Sequence, residues 1–327
     1  MAATVPGPQP AVTPTMGKAT RDAFGEALRE IARTDERIVV VDGDVNNSTR
    51  TEWFAAEFPE RFFNVGIAES NMVGVASGLA SCGKVPVAAS FACFLMCNAY
   101  DQLRMSVAFP RLNVKLVGSH AGISIGEDGP SQMGIEDVAL AGALPGVVVL
   151  VPADEVQTHL VVKAALAHEG PVYIRVGRPD VPIVYESPED CPFSLGEAIR
   201  VRDGADVTIA ANGLMVAAAV QAHHLLAERG VTARVLDLAS VRPLDEAAIE
   251  QAAAETGAVV VAEEHLAHGG LGSTVAMTVA RQHPVPMEFV NLGDRFAESG
   301  AADELMAKYG LTATDIVAAA QRAVARK

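Results

Sequence analysis

The sequence predicts an α/β protein of two domains, each built on a mostly parallel sheet. Nine short runs rich in Val, Ile and Leu recur along the 327 residues. Stretches with helical spacing separate them. One segment, "RPDVPIVYESPEDCPFS", breaks the rhythm with proline and acid. Continuous apolar strands alternating with helices are buried on both faces, the pattern of parallel sheets. The length allows two cores of ordinary size.

In chain order, residues 1–15, "MAATVPGPQPAVTPT", are proline-rich, with neither a charged n-region nor an apolar h-region. They predict a disordered lead-in and no signal peptide. A helix over 18–33 leads to the strand "RIVVVD". A helix over 68–82 leads to "VPVAAS", and one over 94–108 to "LNVKLVG". The strand "GVVVLVP", a helix over 154–168 and the strand "PVYIRV" complete a first domain over 16–180. Residues 181–195 read as a linker. The second domain, 196–327, alternates "DVTIAA", "ARVLDL", "AVVVAEE" and "MEFVNL" with helices over 213–229, 245–255 and 271–282.

The formal charge of −15 argues against nucleic acid or an anionic membrane surface as main partner. No apolar run reaches the roughly 20 residues that span a bilayer. Cys82, Cys93, Cys97 and Cys191 form no CxxC. Cys93 and Cys97 predict a buried, reduced pair rather than a metal site, which suits a reducing cytoplasm.

Ligands of open parallel sheets bind beyond the carboxyl ends of strands. That draws attention to Asp42, Asp44, His120, Asp154 and Arg178, all just after strand runs. The densest such segment is "GSHAGISIGEDGPSQMGIED", Gly118 to Asp137. Its acids and His fit neither EF-hand nor zinc spacing, and no GK[ST] makes it a P-loop. A ligand loop and an acidic surface turn both remain open on these residues alone. "DGDVNNS" is GDV, not the GDG of a diphosphate site. "HLAHGGLGS" lacks a third ligand and is not GxGxxG; it predicts a helix N-terminus packed closely through glycine. His223 and His224 read as boundary residues.

Over residues 16–327 the chain resembles the transketolase family. "ATRDAFGEAL", "DGDVNNST", "RFFNVGIAESNMVGVASGLA", "SFACFLMCNAYDQLRMS", "GSHAGISIGEDGPSQMGIEDVAL", "PADEVQT" and "YIRVGRP" occur in the family's order and spacing. The resemblance covers the thiamine diphosphate pyrimidine-binding domain and the transketolase C-terminal domain. It implies the C-terminal subunit of a split transketolase that transfers a two-carbon ketol unit between sugar phosphates of the pentose phosphate type. Its partner would carry the diphosphate domain and the ligands for Mg²⁺ or Ca²⁺, in an α2β2 heterotetramer.

The resemblance also implies roles. Glu69 matches the glutamate that binds the cofactor and activates it. A carboxyl group on the aminopyrimidine ring nitrogen drives the imino tautomer, so that the exocyclic nitrogen can take the ring-carbon proton. The apolar neighbours Val65, Ile67 and Met72 would keep this acid in its donating form. Phe91 and Phe94 would enclose the aminopyrimidine, with Asp44 nearby. Arg21, Ser48, His120 and Arg178 would grip the sugar phosphate, with a terminal sugar hydroxyl as the alternative partner of His120. Asp128 would read the hydroxyl next to the reacting carbon. Gln132, among the catalytic candidates, stands where many relatives carry a His, and Cys97 where some carry a third aromatic. The alternatives are the β-subunit of a 2-oxo acid dehydrogenase, the matching region of 1-deoxyxylulose-5-phosphate synthase, and a non-catalytic transketolase-like regulatory subunit.

Overall fold

The computed structural model describes residues 14–327. Of the expected lead-in, residues 1–13 lie outside the described residues. Thr15 is anchored: its carbonyl accepts from the Ile183 N–H at 2.9 Å. It continues a two-stranded antiparallel ribbon of β1 (Met16–Ala19) and β8 (Asp180–Pro182).

The apolar runs form strands because β-branched side chains suit a pleated surface buried on both faces. Strands β2 (Ile38–Asp42), β3 (Phe62–Asn64), β4 (Val85–Phe91), β5 (Lys115–Ser119), β6 (Val148–Leu150) and β7 (Val172–Arg175) run parallel in the order β6-β7-β5-β4-β2-β3. A second sheet takes β10 (Val207–Ala211), β11 (Ala233–Asp237), β13 (Val259–Ala262) and β14 (Met287–Val290) in parallel, with β9 (Ile199–Arg202) antiparallel at one edge. All nine strand runs seen in the sequence are present. The helices sit close to their expected spans, as in Glu69–Ser81, Glu155–Ala167, Met215–Ala227 and Leu271–Gln282.

Two features depart from the sequence reading. The helix expected over 94–108 is broken: Ala92–Asn98 gives way to wider turns in which Phe109 N–H reaches Arg104 O and Leu112 N–H reaches Val107 O. The two domains also interlock. Strand β12 (Ser240–Arg242), past the linker, pairs antiparallel with β6 and becomes the seventh strand of the first sheet. A three-residue strand carries too few residues to show a period of two.

The linker is not loose either. Asp154, which also caps the helix Glu155–Ala167, accepts from both Val184 N–H and Tyr185 N–H at 2.8 Å. The buried Tyr185 hydroxyl donates to Asp237 of β11 at 2.6 Å. The apolar core runs through the junction: Leu116 and Tyr173 of the first sheet share one cluster with Leu236, Val241 and Leu271.

Candidate active site

The polar floor lies at the carboxyl edge of the first sheet, beyond β2, β4, β5 and β7. The β2 end turns sharply. Asp42 is fully buried and accepts from Val45 N–H, Thr49 and Thr51, so it fastens the turn and is not available to a ligand. Asp44, two residues on, has φ +65° and is exposed; it accepts from Asn64 Nδ2 at 2.7 Å.

Glu69 opens the helix Glu69–Ser81 and is 5 % exposed. Its carboxylate has two long contacts, Ser90 Oγ at 3.4 Å and Asn98 Nδ2 at 3.3 Å. Neither is a short charge-assisted bond, so the group keeps capacity for a further partner. Met72 is buried beneath it, but Ile67 is 82 % exposed and does not enclose the acid as expected.

Phe91 and Phe94 do not sandwich a ring between them. Their centroids are 5.6 Å apart with planes 11° from parallel, too close for an intervening ring, which needs roughly 7 Å between its neighbours. The second face of Phe91 is covered by the His120 imidazole, with centroids 4.0 Å apart. Phe94 is half-buried and stacks on Phe91. Cys97, at the third aromatic position, is exposed, correcting the expected buried pair; its thiol contacts Glu136 at 3.6 Å. Cys93 is buried and donates to Gln132 O at 3.2 Å. Burial pushes the Cys93 thiol up to about 12.

His120 follows β5 directly, with φ +58°, and is 2 % exposed. Arg21 Nη1 lies 3.2 Å from its Nε2, and a guanidinium can only donate. Nε2 therefore accepts, and Nδ1 carries the proton toward Ser119 Oγ at 2.9 Å. Burial first, then Arg21, Arg178 and Arg50, push the imidazole down to about 3. A neutral ring held at both nitrogens orients Arg21.

Arg21 also donates to Ser48 O at 3.2 Å, and its Nε is buried without a hydrogen-bond partner. Burial, then Arg50 and Arg178, lower its pKa. The structure thus brings Arg21, Ser48, His120 and Arg178 together as the sequence reading grouped them, and adds Arg50. Arg50 has φ +65° and is oriented by Asp22 Oδ1 at 2.5 Å. No sequence pattern marks a left-handed arginine, so it escaped notice. Three guanidiniums, one with a buried Nε that makes no hydrogen bond and lies 3.7 Å from Asp22 Oδ1, have the chemistry to hold a polyoxygen anion.

Arg178 donates to Ile125 O at 3.0 Å and lies 3.4 Å from Asp128 Oδ2. Asp128 therefore leans on the anion site. The Gln132 side chain is half-buried, and its backbone N–H closes a turn onto Gly129 O at 3.1 Å. Among the described residues no group of three or more His, Cys, Asp or Glu could hold a metal ion. The "HLAHGGLGS" segment forms the expected glycine-packed helix start: Glu263 accepts from Leu271 and Gly272 N–H at 2.7 Å. A Cβ at Gly270 would lie 2.2 Å from Glu263 Oε2.

Comparison with known proteins decides the family. Residues 16–183 match the model of the transketolase pyrimidine-binding domain and 196–316 that of the transketolase C-terminal domain. The chain belongs to the transketolase family. It is 44 % identical to a 6-deoxy-6-sulfo-D-fructose transketolase subunit of a Clostridium species, over 94 % of this chain and 95 % of that protein. It is 40 % identical to an apulose-4-phosphate transketolase subunit of Phocaeicola vulgatus, over 90 % of this chain and 93 % of that protein. A solved split-gene transketolase, described as an inactive β4 tetramer, superposes with TM-score 0.87 at 47 % identity, covering 95 % of this chain and 99 % of that one. Membership in the transketolase family implies use of thiamine diphosphate. A buried carboxylate with spare capacity and a half-buried aromatic ring fit the pyrimidine end of that cofactor.

Proposed function

We propose that this chain is the pyrimidine-domain subunit of a split transketolase and transfers a two-carbon ketol unit between sugar phosphates once joined to a diphosphate-domain partner. One observation carries the reading. The stacked pair Phe91–His120 joins the Glu69 and Phe94 side of the floor to the Arg21, Arg50 and Arg178 side. A cofactor ring and a substrate anion could therefore bind on either side of one aromatic wall.

Bound thiamine diphosphate supplies a carbon nucleophile and an electron sink for cleaving the bond beside a ketose carbonyl. Glu69 would hold a proton at the pyrimidine ring nitrogen, with Ser90 and Asn98 fixing its carboxyl plane. Phe94 would carry the ring, and Asp44 would face the partner's side of the cofactor. Arg21, Arg178 and Ser48 would bind the sugar phosphate, with His120 holding Arg21 in place. Asp128 would meet a sugar hydroxyl, and Gln132 would bind rather than transfer protons. Mg²⁺ or Ca²⁺ would take its oxygen ligands from the partner, in an α2β2 assembly.

The test is reconstitution. This chain, mixed with its cognate diphosphate-domain subunit, thiamine diphosphate and Mg²⁺, should transfer ketol units among pentose phosphates. 6-Deoxy-6-sulfo-D-fructose and apulose 4-phosphate should be assayed beside them. The chain alone should be inactive. Ketol transfer by the chain alone, or none with partner and cofactor on any of these sugars, would overturn the reading.

A further inference from the structure

The second domain contributes no residue to the polar floor described above, yet one of its carboxylates reaches under that floor. Glu264 follows β13, is buried, and accepts from Ser124 N–H at 2.6 Å. Ser124 belongs to the loop that begins at His120 and carries Asp128. The neck of this loop is tight. Gly122 N–H donates to Gly134 O at 2.7 Å, and Arg175 Nη2 donates to both Gly134 O and Glu264 O at 2.9 Å. The Glu264 carboxyl fills the neck so closely that a Cβ at Gly122 would lie 2.1 Å from its Cδ, and Gly122 has φ +81°.

The same loop is pinned by burial. Ile123, Ile125, Met133 and Ile135 pack into one cluster with Ile209, Val260 and Leu292 of the second domain. Ile125 O in turn accepts from Arg178. Thus one second-domain carboxylate, four apolar anchors and one arginine fix the backbone that sets His120, Asp128 and the head of Arg178. Buried charge at a domain seam is costly unless it is bonded, and burial indeed raises the pKa of Glu264. The backbone N–H of Ser124 that the carboxylate holds at 2.6 Å gives it a task beyond packing.

We propose that Glu264 is a positioning residue: it sets the substrate loop from the second domain and thereby the geometry of the anion grip. This rests on the split-transketolase reading, and the experiment separates the two. Glu264→Ala, Glu264→Gln and wild type are compared as full chains. Hydrogen exchange of peptides covering 118–134 is read on the chain alone, and steady-state kinetics on the complex with partner and cofactor. Glu264→Ala should speed exchange in 118–134 by about tenfold or more, the loss of one charge-assisted bond, while exchange within β10 and β11 stays as in wild type. It should raise KM for phosphorylated sugars roughly tenfold and leave kcat on hydroxypyruvate within about threefold. Glu264→Gln, which still offers an oxygen to Ser124, should restore both readouts to near wild type. Unchanged exchange in 118–134, or equal losses on phosphorylated and unphosphorylated substrates, would overturn the proposal. If Glu264→Ala does not fold, Glu264→Gln behaving no better on these readouts overturns it too. A wild-type complex without ketol transfer would count against the functional reading alone, since the exchange result stands without it.

Discussion

The two sheets are built alike but use their carboxyl edges differently. Beyond the first sheet the strand ends present Asp44, Arg50 and His120 in left-handed backbone, beside guanidiniums that repel one another. Among the described residues every non-glycine residue with positive φ lies in the first domain. Beyond the second sheet the strand ends present Asp237, Glu263, Glu264 and His265, all buried and each bonded across the domain or to a helix start. Backbone strain persists only where the surrounding structure over-determines it. The first edge is such a place, and the second edge supplies part of the determination. The same architecture thus carries a strained polar floor in one domain and a bonded brace in the other.

That contrast breaks most sharply at Glu69. Glu69→Ala should lower kcat of the reconstituted complex by roughly 10²–10⁴-fold, the usual weight of an acid–base group, with the thermal midpoint of the chain close to wild type. A variant keeping more than about a tenth of wild-type turnover would take Glu69 out of the chemistry.

On the bracing side the largest effect belongs to Asp237. Burial pushes its pKa from 3.8 up to about 7, against donation from Tyr185 and Gln157. Folded chains therefore hold a proton that unfolded chains release between about pH 4 and 7. The unfolded state binds fewer protons in that window, so this group's contribution is full below it and declines as pH rises, by up to about 1.4 kcal/mol per pH unit. Asp237→Asn removes the titration and keeps an acceptor for Tyr185. The melting temperature of wild type relative to Asp237→Asn should fall by several degrees between pH 5 and 8. A constant difference would show that Asp237 does not titrate in this range.

Phosphate recognition comes next in size. Arg178→Ala and Arg21→Ala should each raise KM for phosphorylated sugars ~10–100-fold, the equivalent of a charge-assisted bond, and change KM for hydroxypyruvate far less. Equal losses on both substrates would place these arginines among the bracing residues.

How much of this could be read beforehand follows from the range of the forces involved. The nine strands were legible because burial on both faces writes a continuous apolar run. The group Arg21, Ser48, His120 and Arg178 was legible only through motif register, since its members come from distant strand ends. Arg50, the tautomer of His120 and the covered face of Phe91 were not legible, because each depends on a neighbour's orientation. β12 and Glu264 were missed for the same reason. A three-residue strand and the second Glu of "VVVAEE" acquire meaning only when the second domain docks on the first.

The smallest effect tests whether Asp128 belongs to the floor or to the brace. Its ion pair with Arg178 is long, at 3.4 Å, and about a third of each side chain is exposed. Such a pair contributes on the order of 1 kcal/mol or less. If Asp128 only steadies Arg178, Asp128→Ala should change KM for phosphorylated sugars a few-fold and leave the ratio of kcat/KM between epimeric sugars untouched. If it also accepts from the sugar hydroxyl beside the reacting carbon, the wrong epimer leaves a polar group unpaired, and that penalty vanishes with the carboxylate. The epimer ratio should then contract by several-fold while the phosphate dependence moves little. The second outcome is expected, because Arg178 already has a second anchor in Ile125 O at 3.0 Å and loses little when Asp128 goes. An unchanged epimer ratio would assign Asp128 to the support of Arg178 and leave stereochemical selection to the backbone of the loop.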